Sequence, residues 1–173
     1  MAASIDPAGP GPRVRHVPAG EGPAIWVVGD TYTFKAVGRD TGGRLTVWEA
    51  EIPPGAGPPP HLHREQDEAY YVLDGELEVR DGDRTFMAER GSFVFIPRGA
   101  VHCFRNVGQR PSRMLLWMTP AGFEDFLLAV GQPARPGEAA PPLGPEELAK
   151  TVELAPRHGM ELRLPDEPGA AGR

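Results

Sequence analysis

The sequence predicts an all-β fold: a barrel or sandwich of short strands, with short helices near its C-terminal end. Three observations carry that expectation. Glycine (22) and proline (21) are both abundant in a chain of 173 residues, which favours many turns over long helices. Apolar and polar residues alternate with period two through much of the stretch from Ala24 to Thr119. A helical period appears only afterwards, at Phe123, Phe126, Leu127 and Val130.

Each element follows in order. Residues 1–22 are rich in Gly, Pro and Ala and are expected to form a flexible arm. Ala24–Val28 is a short apolar run, Gly29-Asp30 a turn, and Thr31–Ala36 alternates as a strand. Asp40 to Gly43 makes the next turn, and Leu45–Ile52 the next strand. Pro53 to Pro60 is a loop leading into His61. Glu68–Leu73 is a strand, and Asp74-Gly75 after it reads as a hairpin turn. Glu76–Arg80 and Arg84–Ala88 pair around Asp81-Gly82-Asp83. Ser92–Ile96, Val101–Asn106 and Ser112–Thr119 complete the strands. The apolar stripe of Phe123 to Val130 predicts a helix packed on the barrel, so the barrel with its helix spans 23–131. Residues 132–173 are expected to hold a Pro-rich linker, a helix opened by Pro145 with Glu146 and Glu147 in its first turn, and a tail.

Composition narrows the function classes. The net charge of −6, with no Lys/Arg run, argues against nucleic acid or an anionic membrane surface as partner. One cysteine, Cys103, excludes an intrachain disulfide and fits a reducing compartment. Met1 to Gly22 has no apolar core of signal-peptide type, and no stretch approaches the roughly 18 apolar residues of a membrane helix. A cytoplasmic, soluble protein is expected. The composition suggests a high-GC bacterial source.

The chemistry is concentrated at four residues. On a strand, His61 and His63 (positions i and i+2) point the same way, so two imidazoles stand side by side. Glu68 follows after four residues and can turn back as a carboxylate ligand; His102 arrives from a distant strand. Imidazole suits Zn, Cu, Fe and Ni, and the carboxylate adds a harder oxygen. Four such ligands leave coordination positions open for chemistry on a metal that accepts five or six. Alternation places Tyr70 on the side of Glu68, and Phe104 on the side of His102, as candidates to line the pocket. Trp48, Phe95 and Trp117 are further candidates. Cys103 faces the other way, Arg64 and Arg98 read as solvated charges, and His16 and His158 as surface residues.

The spacing of these residues resembles the cupin superfamily. Gly55, His61, His63, Glu68 and Gly75 fill the first cupin motif, G-x5-H-x-H-x4-E-x6-G. Gly91, Pro97, Gly99, His102 and Asn106 fill the second, G-x5-P-x-G-x2-H-x3-N. The resemblance implies a jelly-roll barrel (double-stranded β-helix) and one divalent transition metal, among Fe, Ni, Mn, Cu and Zn, held by His61, His63, Glu68 and His102. The text around the motifs, such as Asp67-Glu68-Ala69-Tyr70-Tyr71, is similar to small single-domain cupins of the quercetin 2,3-dioxygenase type (2,3 or 2,4 cleavage).

That resemblance implies a dioxygenase that opens a flavonol or a related aromatic or enol substrate with O2. Glu68 would take the substrate's hydroxyl proton, and Tyr70, Phe104, Trp48 and Trp117 would bind the ring. Two other functions fit the same ligands: a non-redox polyketide cyclase or isomerase using Zn, and a non-catalytic metal-dependent small-molecule binder. Barrels similar to this one usually pair, so a homodimer is expected.

Overall fold

The computed structural model describes residues 14–163. Most of the N-terminal arm and the last part of the tail lie outside the described residues. From Arg15 onward the chain is tied down: its Nε donates to the Lys35 carbonyl at 2.7 Å.

Among the described residues, twelve strands form two antiparallel sheets. The first elements are β1 (Ala24–Val27), β2 (Asp30–Ala36), a four-residue helix α1 (Gly38–Thr41) and β3 (Thr46–Ile52). Then come β4 (His61–His63), β5 (Asp67–Asp74), β6 (Glu76–Asp81), β7 (Arg84–Glu89), β8 (Phe93–Ile96), β9 (His102–Arg105) and β10 (Ser112–Thr119). The C-terminal part holds α2 (Phe123–Val130), β11 (Gln132–Pro133), α3 (Pro145–Leu154), a 3-10 turn (Ala155–His158) and β12 (Met160–Leu162). The larger sheet runs β11-β1-β2-β3-β10-β5-β8 and the smaller β12-β4-β9-β6-β7. The two face each other as a jelly roll, and their inner faces make the core.

Alternation decides what enters that core. On β10, Ser112, Met114, Leu116 and Met118 are buried while the residues between them are not. On β3 the buried set is Thr46, Trp48, Ala50 and Ile52. Burial of such residues is the main stabilising term of the barrel.

Three local features differ from the expectations above. Asp74-Gly75 does not close a hairpin, because β5 and β6 belong to different sheets. Gly75 instead passes the chain from one sheet to the other with φ 78°, and a Cβ there would lie 2.5 Å from Ser112 Oγ. The expected Asp40 to Gly43 turn overlaps the short helix α1, which holds Asp40 and Thr41 and ends on left-handed Gly42. The region after Pro156 carries no sequence pattern, yet it holds β12, which pairs with β4 through Met160↔His63 and Leu162↔His61.

The loop before β4 is held by the asparagine of the second motif. Asn106 Nδ2 donates to the carbonyls of Ile52 and Arg110, each at 2.8 Å, and the Gly55 amide donates to the Asn106 carbonyl at 2.8 Å. This fixes the start of the loop that leads to His61.

Candidate metal centre

Three strands supply the four side chains. β4 provides His61 and His63, β5 provides Glu68, and β9 provides His102. β4 and β9 lie in the smaller sheet and β5 in the larger, so the cluster bridges the two layers. His61 and His102 face each other in register across β4 and β9, their ring centroids 4.4 Å apart. One donor atom from each of the four residues lies within 4.8 Å of all the others, and all four residues are buried.

Two of the imidazoles are oriented by the backbone. His61 Nδ1 meets the Pro59 carbonyl at 2.9 Å, and His102 Nδ1 meets the Ala100 carbonyl at 3.0 Å. With Nδ1 carrying the proton, each Nε2 presents a lone pair, the arrangement seen when a carbonyl sets the tautomer of a ligating histidine. Glu68 Oε2 lies 3.2 Å from His63 Nε2 and 3.3 Å from His102 Nε2.

The electrostatics match. Burial pushes His61 down to about 3, helped by the neighbouring His102 and His63, so it is neutral. Burial also opposes charge on His102, but the Glu68 carboxylate outweighs it and raises that pKa. Burial raises Glu68 most, yet His102 and His63 together reverse the shift and hold it low. The site is thus an ionised carboxylate among imidazoles. Three nitrogens and one carboxylate oxygen, converging and shielded from water, fit a divalent transition metal.

The other expected residues divide by the face they occupy. Trp48 and Phe104 line the cavity beside the cluster. Tyr70 does not; it is fully buried in the core, its ring 6.0 Å from Phe104. Trp117 lies on the outer face of β10, stacked on Phe93 at 6.0 Å, because Leu116 and Met118 take the inward phase. Phe95 is 56% exposed on the outer face of β8. Arg98 pairs with Asp67 at 2.9 Å on the surface, and Arg64 pairs with Glu161. His158, expected at the surface, is half-buried with its ring 5.7 Å from Phe126.

Sequence reasoning left the cavity roof unassigned. The Phe123 ring meets His63 edge-on at 4.5 Å, and Phe126 and Leu127 continue that wall from α2. Thr151 from α3 and Met160 and Leu162 from β12 complete it. The stripe on α2 signalled a packed helix; nothing in the text of β12 signalled a roof. The enclosed space is mainly apolar and measures about 50 Å³.

Comparison with known proteins places this geometry. The cupin-domain family model matches residues 48–118, which include all four clustered side chains. The chain carries a cupin domain over these residues. It is 26% identical over 115 residues to quercetin 2,3-dioxygenase of Bacillus subtilis, covering 66% of this chain and 34% of that protein. It is 30% identical over 92 residues to the tetracenomycin polyketide synthase protein TcmJ of Streptomyces glaucescens, covering 53% of this chain and 62% of that one. The chain therefore spans roughly a third to three fifths of these curated relatives. Among solved structures, a "predicted oxalate decarboxylase" of Thermotoga maritima superposes with a TM-score of 0.58 at 18% identity, over 61% of this chain and 98% of that one. That likeness is one of fold.

Proposed function

We propose that this protein is a metal-dependent dioxygenase of the quercetinase type, acting with O2 on an aromatic enol or hydroxy-ketone. The observation that carries the reading is the buried three-histidine, one-glutamate cluster opening onto an apolar, aromatic-walled cavity. The likeness to the Bacillus dioxygenase supports it.

A divalent transition metal held by His61, His63, Glu68 and His102 would supply a Lewis-acidic, redox-capable centre that favours the enolate of the substrate. The chain supplies the rest. Glu68, kept ionised by His102 and His63, accepts the substrate's hydroxyl proton at Oε1 or Oε2. Trp48 and Phe104 hold the ring, and Phe123, packed on His63, keeps water from that side. A volume of about 50 Å³ is well below the roughly 300 Å³ at the lower end of ligand-bearing pockets. Admission of a substrate therefore involves outward movement of the roof, and single-ring enols are accommodated with less of it than flavonols.

The test is anaerobic binding followed by oxygen uptake. Metal-loaded protein is mixed with flavonols and smaller enols under argon, then exposed to O2 in an electrode cell. Ring-opened product with stoichiometric O2 consumption is the expected result; absence of both with every substrate would refute the reading.

The relation to TcmJ favours a second reading, a non-redox cyclase or isomerase acting on a polyketide enol. It predicts zinc in the protein as purified and turnover without oxygen uptake.

A further inference from the structure

α3 is tied to the barrel through its first turn. The Val28 amide donates to Glu147 Oε1 at 2.6 Å. Val28 itself holds left-handed backbone, φ 56°, which a β-branched residue adopts only where its surroundings dictate it. One turn beyond Glu147, on the same side of α3, Thr151 enters the wall of the cavity that contains His61, His63 and Glu68.

Thr151 is 2% exposed, and its Oγ1 has no hydrogen-bond partner, not even the carbonyl one turn back that helical threonines commonly use. Trp48 lines the same cavity, is equally buried, and its Nε1 is unpartnered too. Buried polar groups without partners cost free energy, and valine and phenylalanine would fill much the same space without that cost. The surrounding wall is apolar: Phe126, Leu127 and Met160 offer neither group a partner. What fills the cavity is left to supply it. Thr151 also lies outside the segment matched by the cupin-domain model, in the part of the chain that builds the roof.

The geometry points to a second, hydrogen-bonding subsite in this cavity, in which Thr151 Oγ1 and Trp48 Nε1 hold an oxygen substituent of the ligand whose enol end lies at the four-residue cluster. The inference rests on the metal-centre reading above and deepens it by naming the substrate class. An indole N–H only donates, while a threonine hydroxyl donates or accepts. A ligand hydroxyl satisfies both at once. The preferred substrate is an enol or α-hydroxy-ketone that carries a further hydroxyl away from the chelating end.

The test uses the full chain loaded with cobalt(II), whose visible bands report a ligand entering the metal centre. Two hydroxypyranones serve as probes: kojic acid and allomaltol chelate identically and differ only in a hydroxymethyl against a methyl group. Kojic acid is expected to bind about three- to tenfold tighter, the worth of one net hydrogen bond. That preference disappears in Thr151→Val, survives in Thr151→Ser and shrinks in Trp48→Phe. Because the readout is a ratio within one protein, losses of stability or metal affinity cancel from it. Equal affinities in the unsubstituted protein, or an undiminished preference in Thr151→Val, overturn the subsite and leave the metal centre standing. Cobalt-loaded protein that responds to neither pyranone overturns the subsite as well. Failure to take up cobalt at all overturns the metal-centre reading, and the subsite with it.

Discussion

Adding a divalent metal should raise the thermal midpoint of this protein by roughly 10 °C, with a defined dependence on pH. The four candidate ligands come from both sheets, so an ion held there would link β5 of the larger sheet to β4 and β9 of the smaller. A ligand that binds only the folded state stabilises it by RT ln(1 + [L]/Kd), about 4 kcal/mol at a thousandfold excess over Kd. For a domain of this size, 1 kcal/mol moves the midpoint by about 2–4 °C, which gives roughly 8–16 °C. The pH dependence follows from His102, whose pKa the Glu68 carboxylate raises although burial opposes it. A metal must displace the proton from that ring. Uptake therefore weakens as pH falls below the raised pKa of His102 and levels off above it. The assay is differential scanning calorimetry of chelator-treated protein with and without Zn, Ni or Co, repeated from pH 5 to 8. His102→Ala should lose most of the metal-induced shift. A midpoint unmoved by every metal, or a His102→Ala variant that responds like the unsubstituted protein, would refute the argument.

Further outcomes follow from single positions. Asp30 is fully buried; burial, with Glu147 nearby, raises its carboxyl well above the usual range, and Tyr32 opposes this only in part. A raised carboxyl pKa costs stability as pH climbs from about 4 toward the folded value, at up to about 1.4 kcal/mol per pH unit. Asp30→Asn should match the unsubstituted protein near pH 4 and exceed it at pH 7 in urea denaturation; a constant difference across that range would contradict the assignment. Gly75→Ala should lose roughly 2–4 kcal/mol by the same measurement, from left-handed backbone plus the clash with Ser112. Phe93 and Phe95 are exposed on β8, an edge strand of the larger sheet, so sedimentation at micromolar concentration should show a dimer. Phe95→Asp should shift it toward monomer, and a monomer at the outset would remove this expectation.

How much of this could be read from the sequence depended on whether a residue's facing was fixed by chemistry. Glu68 and His102 set the phase of β5 and β9, so the placement of Phe104 in the cavity followed from alternation. β10 carries no ligand, and its phase was open; Trp117 turned out to face away from the cavity, on the outer sheet surface. Asp74-Gly75 looked like a hairpin because local turn chemistry is the same whether the next strand pairs back or joins the opposite sheet. Only long-range pairing separates the two, and here β5 takes β8 and β10 as partners. The roof was least legible. Thr151 sits among the charged residues of α3 with no pattern to set it apart, and β12 is three residues long, too short for alternation to register.

The attachment of β12 to β4 has a consequence for assembly. β4 meets β9 at one residue pair but meets β12 at three, so most of its lateral support comes from much later in the chain. During synthesis the two β4 histidines would reach solvent long before the strand that steadies them. Capture of an ion at this cluster would thus be tied to completion of the fold, and its release to detachment of one short border strand rather than to unravelling of the barrel.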